Sequence, residues 1–257
     1  MSHSISNKGL KLVSSTVGIM VILIIWHFAA ASFNPLILPS PGETWQALKE
    51  ISRSGQLIAN LLITLRRTLL GYSAAIFSGL LLAVFLNASR FWRYLFRPII
   101  TIIQVIPPVI WLVLAVIWFG IADDITPIFL IFIVTLPVIF LNIYTGLEGI
   151  DLRLIEMATV YRVSKKQIIL NIYLPSLVNQ LVSAVSIGLA IAWKAAIFAE
   201  FLGSSAGIGF ALSMANSNLE TEELFGWTLV LIGLMLIFEY LLIRPLQQYA
   251  TRWRQND

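Results

Sequence analysis

The 257 residues contain no cysteine, so the chain has no disulfide framework, no thiolate metal site and no thiol nucleophile. Histidine is nearly absent as well. His3 and His27 are the two present, which excludes an H-E-x-x-H metal site and leaves His27 as the one base within an apolar stretch. With Ser204 or Ser205, whose glycine-rich flanks would expose a hydroxyl, His27 could form a Ser-His hydrolase, but beside Trp26 it reads more simply as an interfacial residue. There is no G-x-x-x-x-G-K-[ST] loop, so the chain is not expected to bind and hydrolyse ATP itself. Charge is scarce too: 12% of residues are Asp, Glu, Lys or Arg, against about 25% in soluble domains.

What fills the space is apolar. Hydrophobic residues make up 58% of the chain and its mean hydropathy is +0.88, values of an integral membrane protein. At roughly 20 apolar residues per span, the length suits one helical membrane domain of five to seven spans, with nothing large left over. The net charge of +4 and pI near 9.5 would also suit a nucleic-acid binder. Here the basic residues are scattered among short segments, so lipid surroundings and topology explain them and no nucleic-acid partner is expected.

Six spans are predicted, over residues 12–33, 68–89, 98–122, 125–144, 179–201 and 224–243. The first follows Lys8 and Lys11; it exceeds a signal-peptide core and ends in no A-x-A site, so it reads as an uncleaved helix. Leu38-Pro39-Ser40-Pro41-Gly42 is turn chemistry ahead of an amphipathic segment on the outer face. In the second span Gly71, Ala75, Gly79 and Ala83 recur every fourth residue, a small-residue stripe that lets another helix approach closely. Pro107-Pro108 must break the hydrogen-bond ladder of the third, and Asp123 and Asp124 end it outside. Of 17 Lys and Arg, 12 fall in the segments this scheme puts in the cytoplasm, including Arg90, Arg93 and Arg97 in the loop after the second span and Arg252 and Arg254 in the tail. That bias sets both termini inside.

The most informative stretch is a charged island between apolar runs, Glu156-Met157-Ala158-Thr159-Val160-Tyr161-Arg162, followed by Val163, Ser164 and, nine residues after Arg162, Ile172-Tyr173-Leu174-Pro175. It resembles the coupling loop of binding-protein-dependent ABC importer permeases, whose pattern is Glu-Ala-Ala, three residues, Gly, nine residues, Ile-x-Leu-Pro. Glu156, Ala158, Ile172, Leu174 and Pro175 are in register, whereas Met157 replaces Ala and Arg162 replaces Gly. If that glycine supplies a positive φ, an arginine there costs about 1–2 kcal/mol. Thr64-Leu65-Arg66-Arg67 with Gly71-Tyr72 resembles the phrase that opens the family's core. Leu38-Pro39-Ser40-Pro41, the run from Pro107-Pro108 to Trp118-Phe119-Gly120, and Trp193 to Glu200 with Gly207-Ile208-Gly209 look like its nitrate/sulfonate/taurine branch.

The resemblance implies an all-α permease of type I importer fold in a prokaryotic inner membrane, crossing it several times. It implies a division into residues 1–33 (tail and first helix), 34–67 (extracytoplasmic amphipathic segment) and 68–257 (permease core), with the coupling loop at 148–175. Its implied partners are ABC ATPase subunits that carry the ATP and Mg, an extracytoplasmic substrate-binding protein, and a second permease copy. The chain itself would hold no cofactor or metal and catalyse nothing. The implied cargo is a small anion such as a sulfonate, taurine, nitrate or bicarbonate; a pyrimidine-type vitamin precursor, or a stand-alone ion-coupled carrier, are the alternatives.

Lys194 is the one basic residue expected deep in a span, where an ionisable group costs about 2.5–3.5 kcal/mol and faces a cavity or a partner. Ser183, Ser186, Ala190 and Lys194 share one polar helix face, opposite a packing stripe of Gly188, Ala192, Ala195 and Ala199. Lys194 is therefore a candidate for the translocation path, favouring an anion, unless it pairs with a carboxylate or snorkels outward. Glu200, too far around the helix to pair with Lys194, is a candidate for the exit gate or for docking the binding protein, or a plain interfacial carboxylate. Gln104 could line the path or bond a carbonyl freed by the prolines, and Glu239 is expected to neutralise a neighbour.

Overall fold

The computed structural model describes residues 3–121 and 124–245, so Asp123, Arg252 and Arg254 lie outside the described residues. Every regular element among the described residues is a helix. They are α1 (His3–Ser32), α2 (Pro41–Arg53), α3 (Gln56–Ala88), α4 (Arg90–Val105), α5 (Pro108–Phe119), α6 (Ile125–Glu148), α7 (Leu152–Val160), α8 (Lys165–Ile168), α9 (Leu174–Gly203), α10 (Ile208–Ser217) and α11 (Thr221–Phe238). Turns of π-helix at Ile169–Tyr173 and Glu239–Ile243 extend α8 into α9 and prolong α11. Among the described residues, four helical runs are long and apolar enough to cross a membrane: Gln56–Ala88, Ile125–Glu148, Lys165–Gly203 and Thr221–Leu241. A fifth arises if the bent pair α4–α5 is one span, and α1 adds the shorter apolar stretch Thr16–Ser32.

The chain falls into two compact units. The first comprises Met1–Ile58 and Ala211–Ile232. Within it α2 starts in a capping box: Ser40 Oγ accepts from the Glu43 amide at 3.2 Å, and the Ser40 amide donates to Glu43 Oε2 at 2.7 Å. Pro41 follows at the first helical turn, where no N–H is needed. Those exchanges pull Glu43 below the ordinary carboxylate range, the Ser40 backbone donor first and its hydroxyl second. Trp26 donates its indole N–H to the Pro39 carbonyl at 2.9 Å and packs its ring 5.8 Å from Phe225.

The second unit comprises Ala59–Phe210 and Gly233–Asp257 and is built around α6, whose Leu130, Ile131 and Phe140 are fully buried. In lipid, helices are held together by close packing rather than by water exclusion, so small residues decide where they meet. The stripe on α3 does this. A Cβ on Gly71 would sit 2.8 Å from Ile131, one on Gly79 would sit 2.9 Å from Ile139, and Ala75 and Ala83 have no exposed surface. On α9, Gly188, Ala192, Ala195 and Ala199 are likewise buried.

The double proline breaks its helix as expected, with α4 and α5 meeting at 96°. Pro107 has no N–H for the Ile103 carbonyl, and the Trp111 indole supplies one at 3.2 Å. Two boundaries differ from the sequence expectation. Helix α3 starts at Gln56, so Arg66 and Arg67 are helical, and Arg90, Arg93 and Arg97 ride on α4 rather than on a loop. In both places a charge that reads as an end of a span has a partner that lets the helix continue: Arg93 reaches Glu148 at 3.5 Å and lies over the Tyr144 ring.

Candidate coupling surface and buried carboxylate network

The charged island folds as two short helices joined by a tight turn. Asp151 caps α7 by accepting from the Arg153 amide at 2.9 Å. The helix ends in a Schellman motif, with the Val163 amide bonded to the Ala158 carbonyl at 2.9 Å and the Arg162 amide to that of Thr159 at 3.0 Å. This geometry requires a left-handed residue at the position after the cap, and Arg162 adopts it with φ of 54°. Ser164 then opens α8 through a second capping box with Gln167. Ahead of Pro175, which has no N–H for the Asn171 carbonyl, the ladder widens into the π turn, and α8 to α9 forms one helical run of 39 residues.

This segment exposes large apolar side chains beside its charged ones. Of α7 only Ala158 is buried, whereas Met157 is 54% exposed, Tyr161 77% and Val160 80%. Met157, Ala158, Tyr161, Val163, Ile168 and Ile172 line an open groove of about 420 Å³. Glu156 is exposed, and among the described residues its carboxylate joins no ion pair. A contiguous apolar surface on a nine-residue helix outside every candidate span is the signature of a contact site.

A second constellation lies at the other end of α9. Glu200, with no exposed surface, accepts from Thr64 Oγ1 at 2.8 Å, from Arg67 Nη1 at 3.1 Å and from the Gly209 amide at 3.1 Å. Arg67, 2% exposed, also donates from Nε to Asp124 at 2.7 Å and from Nη1 to the Ala206 carbonyl at 2.6 Å. Arg66 adds a second, exposed bond to Asp124. Thr64 and Arg67 are three residues apart on α3 and therefore on one face, which explains the spacing of the Thr-Leu-x-Arg phrase. The Gly207-Ile208-Gly209 turn is equally constrained. Gly207 has φ of 104°, and a Cβ there would lie 2.3 Å from the Glu200 carboxyl carbon. The Ile208 amide bonds Thr64 Oγ1 at 2.9 Å and the Gly207 amide bonds Asn60 Oδ1 at 3.0 Å. The network ties α3, α6, α9 and the start of α10 into one clamp, and offers no nucleophile. Ser204 Oγ is occupied by the Ala206 carbonyl at 3.0 Å and the Ala206 amide at 3.3 Å, and the His27 ring stands edge-on to Phe28.

The candidate path residues are not assembled into one site. Gln104, Ser183 and Lys194 are exposed, whereas Ser186 and Glu200 are interior. No hydrogen bond or ion pair among the described residues joins any two of them. Glu200 is engaged by the clamp rather than by open space, and Gln104 leaves the freed Ile103 carbonyl to Trp111. Lys194 borders a cavity of about 320 Å³ with Trp193, Met235, Phe238 and Glu239. It makes no ion pair among the described residues, while Glu239 pairs with Arg244 at 3.6 Å. Sequence reasoning missed Thr64, Arg67 and Asp124 as partners of one another and of Glu200. Their two phrases were visible, but 133 residues separate Arg67 from Glu200 and nothing local links them.

Comparison with known proteins identifies a family and a fold. Residues 75–255 match the family of binding-protein-dependent transport system inner membrane components. The taurine transport system permease protein TauC of Escherichia coli K12 is 27% identical over 240 residues, 91% of this chain and 86% of the relative. The nitrate import permease protein NrtB of Synechocystis is 29% identical over 237 residues, 88% of this chain and 86% of the relative. Among solved structures, an amino acid ABC transporter superposes with a TM-score of 0.64 at 16% identity, over 80% of this chain and 97% of that one, a likeness of fold alone.

Proposed function

The chain belongs to the family of binding-protein-dependent transport system inner membrane components, the non-catalytic permease subunits of ABC importers, and from that premise we propose that it forms the pathway for a small anion of the sulfonate, taurine, nitrate or bicarbonate type. An extracytoplasmic binding protein delivers the anion, and separate ATPase subunits, which hold the ATP and Mg, dock on α7. Two copies of the chain make the pathway, with residues 68–257 as its core. Each copy crosses a prokaryotic inner membrane six times with both termini in the cytoplasm, using Thr16–Ser32, α3, the broken α4–α5 pair, α6, α9 and α11. The 12 of 17 Lys and Arg that this topology puts inside support it.

The observation that carries the reading is the apolar face of α7, Met157, Val160 and Tyr161, exposed outside the spans on a loop with the coupling spacing. The fold also supplies a transmission. From Lys165 to Gly203 the chain is one helical run, which supports α8 and α9 as the route by which a push at the coupling loop would reach Lys194 and the Glu200 clamp. The π turn at Ile169–Tyr173 is the place in that run where the ladder can shift register. Only a difference in nucleotide affinity between two conformations can supply the work. Lys194, the cation that borders the cavity it shares with Glu239, favours the anion electrostatically, while Glu239 is engaged by Arg244.

The test is subunit composition. A C-terminally tagged chain extracted gently from native membranes should bring down one ATPase subunit per copy, and Glu156→Lys should release it. A chain that emerges alone or only with itself would refute the reading.

A further inference from the structure

Arg162 occupies a backbone position that glycine would fill without strain, yet among the described residues nothing uses its side chain. The residue is exposed and has φ of 54°, and among the described residues its guanidinium makes no hydrogen bond or ion pair. The Schellman bonds that fix the turn are made by backbone alone, so the fold needs the left-handed conformation but not the arginine. Strained residues of this kind concentrate at contact and switch sites, where something outside the local fold compensates them. Its surroundings indicate what that is. Before it in sequence come the exposed apolar Met157, Val160 and Tyr161; after it come Lys165 and Lys166, also exposed and unpaired among the described residues. Between residues 151 and 166 the cations Arg153, Arg162, Lys165 and Lys166 outnumber Asp151 and Glu156.

We propose that Arg162 is a specificity-determining contact, paired in the assembled complex with an acidic side chain on the ATPase subunit that receives α7. The apolar face supplies the bulk of the attachment, and the cationic edge after the helix selects an ATPase with a complementary negative rim. This inference rests on the importer reading given above.

The experiment measures the apparent Kd of the copurified ATPase subunit for the chain in nanodiscs, at low salt and at about 0.5 M salt, for wild type, Arg162→Gly, Arg162→Asn and Arg162→Lys. The thermal midpoint of each chain without the ATPase is recorded alongside. Gly and Asn both tolerate the left-handed region, so those variants should be as stable as wild type or more so. They should nevertheless bind about 5–10-fold more weakly at low salt, with the gap closing at high salt, while Arg162→Lys stays within about twofold. Opposite signs for stability and binding are what a purely structural role cannot produce. Gly and Asn variants that bind as tightly as wild type would overturn the inference and leave the importer reading intact. A wild-type chain that recruits no ATPase subunit would overturn both.

Discussion

Replacing Arg67 with Met should strongly destabilise the second unit. The substitution preserves length and helix propensity but removes the Nε bond to Asp124 at 2.7 Å and the Nη1 bonds to Glu200 at 3.1 Å and Ala206 at 2.6 Å. Glu200 is then left with no exposed surface and no counter-charge, held only by Thr64 and Gly209. Removing one partner from a buried pair costs about 3–5 kcal/mol, and with Arg67 2% exposed little solvent screening reduces that figure. At about 2–4 °C per kcal/mol for a chain of this size, the midpoint of thermal unfolding in detergent should fall by roughly 6–20 °C. The assay is a double-mutant cycle with Glu200→Gln, which keeps the shape and one acceptor but removes the charge. Because each residue is the other's partner, the double variant should recover part of the loss rather than add to it. A fall under about 2 °C for Arg67→Met, or strict additivity in the cycle, would refute the claim that this pair clamps α3 to α9.

Gly207→Ala should destabilise the chain by about 1–3 kcal/mol, since it combines a strained φ with a Cβ inside the Glu200 carboxylate; a midpoint unchanged from wild type would contradict that. The α2 capping box should be pH-dependent. With the Glu43 pKa lowered in the fold, its contribution is present above the ordinary carboxylate range and is lost as pH falls through the folded value, so the protection of α2 amides relative to their intrinsic exchange rates should fall at low pH in wild type and show no such step in Glu43→Gln. Lys194→Met should reduce uptake of an anionic cargo, with an effect that depends on cargo charge. Unchanged uptake and an unchanged substrate profile would remove Lys194 from the path.

Features with a short period were legible in the sequence. The every-fourth-residue stripe of α3 and the small face of α9 declared which sides of those helices meet neighbours, because close approach in lipid needs small residues at helical spacing. Pro107-Pro108 declared its break for an equally local reason, the loss of two donors. The coupling turn was partly legible through a departure: the glycine that the resemblance implies at position 162 left a different turn or a tolerated strain open, and Arg162 adopts the left-handed conformation with φ of 54°. Charges were misleading wherever their partners were distant. Arg66 and Arg67 read as the edge of a span, yet α3 continues through them because Asp124 and Glu200 neutralise them. Glu200 read as an exit, docking or plain interfacial carboxylate, and its burial was not legible because its arginine partner lies 133 residues away in sequence.

The central claim is that α7 is the surface through which a separate ATPase drives this permease, and one crosslink tests it. The chain has no cysteine, so Val160→Cys, at a residue 80% exposed, can carry a single photoactivatable maleimide, with Phe77→Cys on the exposed side of α3 as the control. The account predicts that light joins the Val160 site to the ATPase subunit, in a yield that changes when nucleotide is added, while the Phe77 site gives none. A Val160 site that captures no ATPase subunit in a complex that still contains one would contradict it.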